Sequence, residues 1–116
     1  MHNFKKLSIW VNAMSLVKDV YLLTSNFPKE EKFGLISQIN RCSISIPSNI
    51  AEGSSRSSNK EFSHFIKIAL GSLFELETQI ILSSDFKMIN DQDSNIILDK
   101  ITTLQKMING FLTTLK

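Results

Sequence analysis

The final stretch of the chain places the strongest constraint on its fold. Ile97, Ile101, Leu104, Ile108, Phe111 and Leu115 recur at steps of four, three, four, three and four. That is a heptad seam, which only a helix gathers on one side. A lone helix cannot bury such a seam, so it needs partner helices crossing at the shallow angles of bundles.

Three earlier segments carry the same period. Trp10, Ala13, Val17 and Val20 form one line, and Ile9, Leu16 and Leu23 a second, so a first helix is expected from Leu7 or Ser8 to Ser25 or Asn26. Its apolar surface is wider than one partner would cover. Phe27-Pro28 breaks the pattern, and Pro28 suits the first turn of a second helix, with Glu30 and Glu31 near its positive end. The second seam runs Leu35, Ile39, Cys42, Ile46, Ile50 and Gly53. After a serine-rich loop, Ser58 and Glu61 read as a capping box for a third helix ending near Asp85 or Phe86. Its core line is Phe62, Ile66, Ala69, Leu73, Leu76 and Ile80, with Leu70, Phe74 and Ile81 as an extra ridge. Gly71 and Ser72 are small, which predicts a close backbone approach there. Asp91 or Asp93 is expected to cap the fourth helix.

Four amphipathic helices with short links predict an all-α fold, an antiparallel up-down-up-down four-helix bundle. With 116 residues, 42% of them hydrophobic, residues 1–116 suffice for a single domain with a real core. Four glycines and two prolines are few breakers, as long helices require.

The stretch Arg41–Arg56 departs from an ordinary core helix. Ser43-Ile-Ser-Ile46 alternates as a strand would, but the helical seam continues on both sides and no hairpin turn flanks it. Pro47 lies inside this helix, so the second helix is expected to be kinked there, with Ser43, Ser45 or Ser48 hydroxyls bonding freed carbonyls. At ~100° per residue, Gln38, Arg41, Ser45, Asn49, Glu52 and Arg56 share an arc of about 80° beside the seam. Glu75 and Gln79, one turn apart on the third helix, are placed to meet Arg41 or Asn49. Two readings stay open for this stripe: a satisfied polar network that fixes helix register, or a binding site for a polar or anionic partner.

No catalytic signature stands out. His2 and His64 are far apart, and Glu61 with His64 gives a single Glu-x-x-His spacing where a di-metal bundle needs two. Neither a metal nor another cofactor is expected. Cys42, the one cysteine, permits no internal disulfide and reads as a small core residue in a reducing compartment. No apolar run is long enough for a signal peptide or a membrane span, which points to a cytoplasmic protein without a membrane partner. The formal charge is +2, with a net of +3 up to Ser58 and −1 beyond it. That bias permits an anionic partner without requiring one.

Taken together, these residues resemble the bacterial four-helix-bundle proteins encoded in 23S ribosomal-RNA intervening sequences. The resemblance is carried by Phe4, Lys5, Leu7, Trp10 and Ala13, then by Phe27-Pro28, Glu31, Phe33-Gly34-Leu35 and Gln38-Ile39. Its most specific part is Ser45-Ile-Pro-Ser-Asn-Ile-Ala-Glu-Gly53 with Arg56, followed by Ile68-Ala69, Gly71-Ser72-Leu73, Glu75-Leu76 and Gln79. Asn40 and Leu70 stand where the family tends to place basic residues, and Cys42 where alanine is usual. The resemblance implies a ring-shaped homopentamer, in a family with no established enzymatic activity. It also implies kinship with accessory proteins of diversity-generating retroelements, thought to bind nucleic acid.

The expected function is therefore that of a non-enzymatic oligomeric binding protein contacting RNA or DNA. Lys5, Lys6, Lys18, Arg41 and Arg56, repeated in each subunit, would supply the positive field. The alternative is a scaffold or accessory subunit that binds a partner protein.

Overall fold

The computed structural model describes residues 3–31 and 34–116. Four helices, α1 (Ser8–Thr24), α2 (Leu35–Ser54), α3 (Asn59–Asp85) and α4 (Asp91–Thr113), are joined by short links, with 3₁₀ turns at Phe4–Lys6 and Lys29–Glu31. His2 and Phe33, singled out from the sequence, lie outside the described residues. At ~1.5 Å per residue α3 is about 40 Å long, and it spans the long dimension of a bundle measuring 43 × 24 × 20 Å.

The helices pack in a closed cycle, α1 on α2, α2 on α3, α3 on α4 and α4 on α1. Contacts between them fix their directions. Thr24 at the end of α1 bonds Asn40 near the start of α2, and Gly53 near the end of α2 abuts Phe62 and Phe65 early in α3. Phe62 in turn meets Phe111 near the end of α4. Each helix therefore runs opposite to its neighbours.

Heptad spacing explains what fills the interior. Ile39, Ile46 and Ile50 from α2, Phe62, Ile66, Leu73, Leu76 and Ile80 from α3, and Ile101 and Ile108 from α4 are sealed from solvent. Truncating one such isoleucine to alanine costs about 2–5 kcal/mol. In α1 both apolar lines enter the core, since Ile9 and Leu16 are as buried as Ala13 and Val20. The second line faces α4, where Leu16 lines one groove with Leu104 and Met107, and it is not the spare surface its width suggested.

Local signals differ from expectation at three points: the role of Pro28, the acceptors of the serine hydroxyls near Pro47, and the cap of α4. Pro28 does not open α2: a 3₁₀ turn follows it, and α2 begins only at Leu35, after Gly34 with ψ −109°. Pro47 is buried inside α2, which continues as one helix to Ser54. The Ser43 and Ser45 hydroxyls donate to the carbonyls of Asn40 and Cys42 rather than to the Ser43 carbonyl, whose N–H partner Pro47 removes. Asn90, not Asp91 or Asp93, caps α4, its side chain accepting the Asp93 N–H at 2.8 Å. α3 ends at Asp85, as expected, and closes in a Schellman turn, with Met88 N–H donating to the Ser83 carbonyl and Lys87 at φ 63° where glycine is usual. The Ser58 cap is as the sequence predicts, accepting the Glu61 N–H at 3.1 Å.

No helix among the described residues is long and apolar enough to cross a membrane.

Candidate functional site

The polar stripe on α2 divides into two places. Its first half opens on a groove of about 520 Å³ lined by Ser37, Gln38, Arg41, Cys42, Ser45, Ser72 and Glu75. Antiparallel packing brings Arg41 and Glu75 level with each other across α2 and α3. The floor is tied by a hydrogen bond between the Ser72 and Ser45 hydroxyls at 2.8 Å, Ser45 accepting because its own proton goes to the Cys42 carbonyl, and by the Cys42 thiol donating to the Ser72 carbonyl at 3.1 Å. Burial, followed by the Glu75 charge and hydrogen bond, pushes the Cys42 thiol from 9.0 up to about 12. The sulfur therefore stays protonated at neutral pH and is no activated nucleophile. Gln79, one turn beyond Glu75, donates to it at 3.4 Å. Its carbonyl oxygen is the one buried side-chain polar atom left without a partner among the described residues. Asn49 turns back on its own helix, donating to the Ser45 carbonyl rather than to Glu75 or Gln79.

The second half of the stripe lies at the far end of α2. Arg56 pairs with Glu52 at 3.9 Å, both side chains being substantially exposed, so this contact is a weak one. The Arg56 guanidinium also sits 4.7 Å from the centre of the Phe65 ring, within cation–π range. Fifteen residues separate Arg41 from Arg56, which along a helix is about 22 Å. The five basic residues proposed from the sequence therefore do not make one cluster. Lys5 and Lys6 join Arg56 at this end, because their 3₁₀ turn packs against both α1 and α2. Lys18 lies midway along the bundle, and Arg41 belongs to the groove nearer the other end.

Assembly of the bundle concentrates charge in a way the linear sequence hides. Residues 3–11, 49–67 and 107–116 meet at the end formed by the α2–α3 turn. They hold six basic residues (Lys5, Lys6, Arg56, Lys60, Lys67, Lys116) against two acidic ones, Glu52 and Glu61, a net of +4. The remaining sequence has seven basic and nine acidic residues, a net of −2. Aromatic rings lie among these cations. Phe4 and Trp10 pack edge to face at 5.3 Å with Lys5 near the Phe4 ring, and His64 packs edge-on to Phe65 at 5.6 Å.

Sequence reasoning missed Lys60, His64, Phe65 and Lys116 as members of this surface, and Ser72 as the partner of Ser45. The missing signal was three-dimensional: three segments remote in sequence contribute to one end. Among the described residues no three His, Cys, Asp or Glu side chains converge as metal ligands would.

Comparison with known proteins adds the lineage. The sequence pattern of the 23S rRNA-intervening sequence protein family matches residues 5–110. Among solved structures, one described as a protein of unknown function from the S23 ribosomal protein family of Bacteroides thetaiotaomicron superposes with a TM-score of 0.81. It is 21% identical over 90% of this chain and 97% of its own, a likeness of fold. No curated protein matches the chain.

Proposed function

The chain belongs to the 23S rRNA-intervening sequence protein family, and from that premise we propose that it is a non-enzymatic, oligomeric protein that binds RNA through the basic end of its bundle. The observation that carries this reading is the charge separation along the bundle, +4 at the α2–α3 end against −2 in the rest of the sequence. Such a field attracts a polyanion and orients it on approach. Self-association is supported by the outer side of α3, where Phe74, Ile81 and Leu82 remain 52%, 44% and 40% exposed in the single chain. Large apolar side chains left exposed in a single chain gain by burial between copies. Repetition of the basic end around a homopentameric ring multiplies the field. A cytoplasmic location fits the single cysteine and this choice of ligand.

A salt series of gel shifts against structured ribosomal RNA tests the reading. The expected result is binding whose logarithm falls linearly with the logarithm of salt, at about 0.7–0.9 per phosphate neutralised. Absence of a shift at low salt contradicts it.

A second reading, a scaffold for a partner protein, is favoured by a different region. Leu22 and Ile96, 69% and 48% exposed, flank a groove of about 240 Å³ between α1 and α4. A stoichiometric protein partner retained after nuclease treatment would select this reading.

A further inference from the structure

The link between α2 and α3 is only residues 55–58, so Arg56 is folded back onto the first turns of the next helix. Gly53 makes this tight turn possible: a Cβ there would lie 2.8 Å from Phe65 Cβ and 2.9 Å from Phe62 Cδ1. The close approach holds the Arg56 guanidinium over the Phe65 ring at 4.7 Å. Arg56, Ser58, Lys60, Glu61, His64 and Phe65 together line an open recess of about 570 Å³, a size in the range of small-ligand sites.

We infer that this recess holds an unpaired nucleotide of single-stranded RNA, its base stacked on the Arg56–Phe65 platform and its phosphate turned toward Lys60. The inference rests on the nucleic-acid reading above and adds which form of nucleic acid the site takes. A guanidinium plane backed by an aromatic ring is a stacking surface, and only a base outside a duplex offers a face to it. His64 adds a second ring at the edge of the recess. Glu61 is the one acid in the lining, and its position in the first turn of α3 keeps it beside the helix N-terminus. The exposed Arg56–Glu52 pair is weak enough to yield to a phosphate. Lys60 and the positive end of the α3 dipole both favour an anion at the mouth.

The test is fluorescence anisotropy with a labelled single-stranded RNA and a duplex of the same length. The full-length protein is compared with Phe65→Leu and Arg56→Lys. The readout is the ratio of single-strand to duplex affinity, which cancels changes in folded fraction. The expected ratio is about tenfold for the unaltered protein, as one stacked base supplies, and near unity for both variants. Arg56→Lys keeps the charge and lies on the surface, so it serves if Phe65→Leu fails to fold. A ratio near unity in the unaltered protein, or one that Arg56→Lys leaves intact, overturns the platform while RNA binding stands. Failure of both RNAs to bind at low salt overturns the platform and the function together.

Discussion

Cys42 shows how one residue reports on its surroundings. It is buried on the α2 seam, donates to the Ser72 carbonyl and has its thiol raised to about 12 by desolvation and then by Glu75. The thiolate fraction at a given pH below 9 is therefore lower than in the unfolded chain by about a thousandfold, three decades of pKa. In the native protein, alkylation at pH 8 should be slow and should accelerate on adding urea. The sign of the pH effect follows from proton linkage. Because the folded thiol holds its proton more tightly, its favourable contribution is complete below pH 9 and is lost as pH rises from 9 toward 12. Cys42→Ala should therefore lose less stability than the unaltered protein over that interval in urea titrations. Parallel loss in the two proteins would mean that the thiol is not shielded.

At the scale of elements, Gly53 and Gly71, two of the glycines inside helices, have opposite roles. Gly53 lies where α2 and α3 nearly touch, and a methyl group there meets the Phe65 and Phe62 side chains below 3.0 Å. Gly53→Ala should destabilise the bundle by about 1–3 kcal/mol, the range for overpacking. Gly71 is exposed within α3, and a Cβ there meets nothing within 4 Å. Gly71→Ala should stabilise the single chain by about 0.5–1 kcal/mol through helix propensity. Urea midpoints of the two variants moving in the same direction would contradict this assignment. Of the pair expected to allow a close approach, Ser72 does meet α2 through Cys42 and Ser45, whereas Gly71 faces away and the tight glycine contact is at Gly53; the reason is geometric. Periodicity identified both helices and the buried lines Phe62–Ile80 and Ile97–Ile108, because burial follows spacing directly. It did not reveal which small residue faces a neighbouring backbone, because that depends on crossing point. The Asn90 cap was misplaced by a residue for a related reason: asparagine and aspartate are equally good caps, and only the loop path chooses between them.

Across the whole molecule, topology was legible and charge distribution was not. Four seams of apolar residues with short links permit little besides a bundle. The sequence splits its charge at Ser58, but antiparallel packing pairs the start of the chain with the middle and with the C-terminal residues. Lys5, Arg56, Lys60 and Lys116 thereby come to one end, whereas Arg41 and Lys18 are carried away from it. Of the polar stripe, the half around Arg41 and Ser45 meets Glu75 in one groove, and the half around Glu52 and Arg56 joins the basic end. In the proposed function, the position of charge, rather than its total, directs RNA binding. Two double charge reversals of equal size measure this most directly: Lys60→Glu with Lys116→Glu at the basic end, and Lys18→Glu with Lys106→Glu near mid-bundle. Anisotropy titration of structured RNA at fixed salt should show the first pair weakening binding by about tenfold or more and the second pair weakening it far less. Equal weakening by both pairs would contradict the claim.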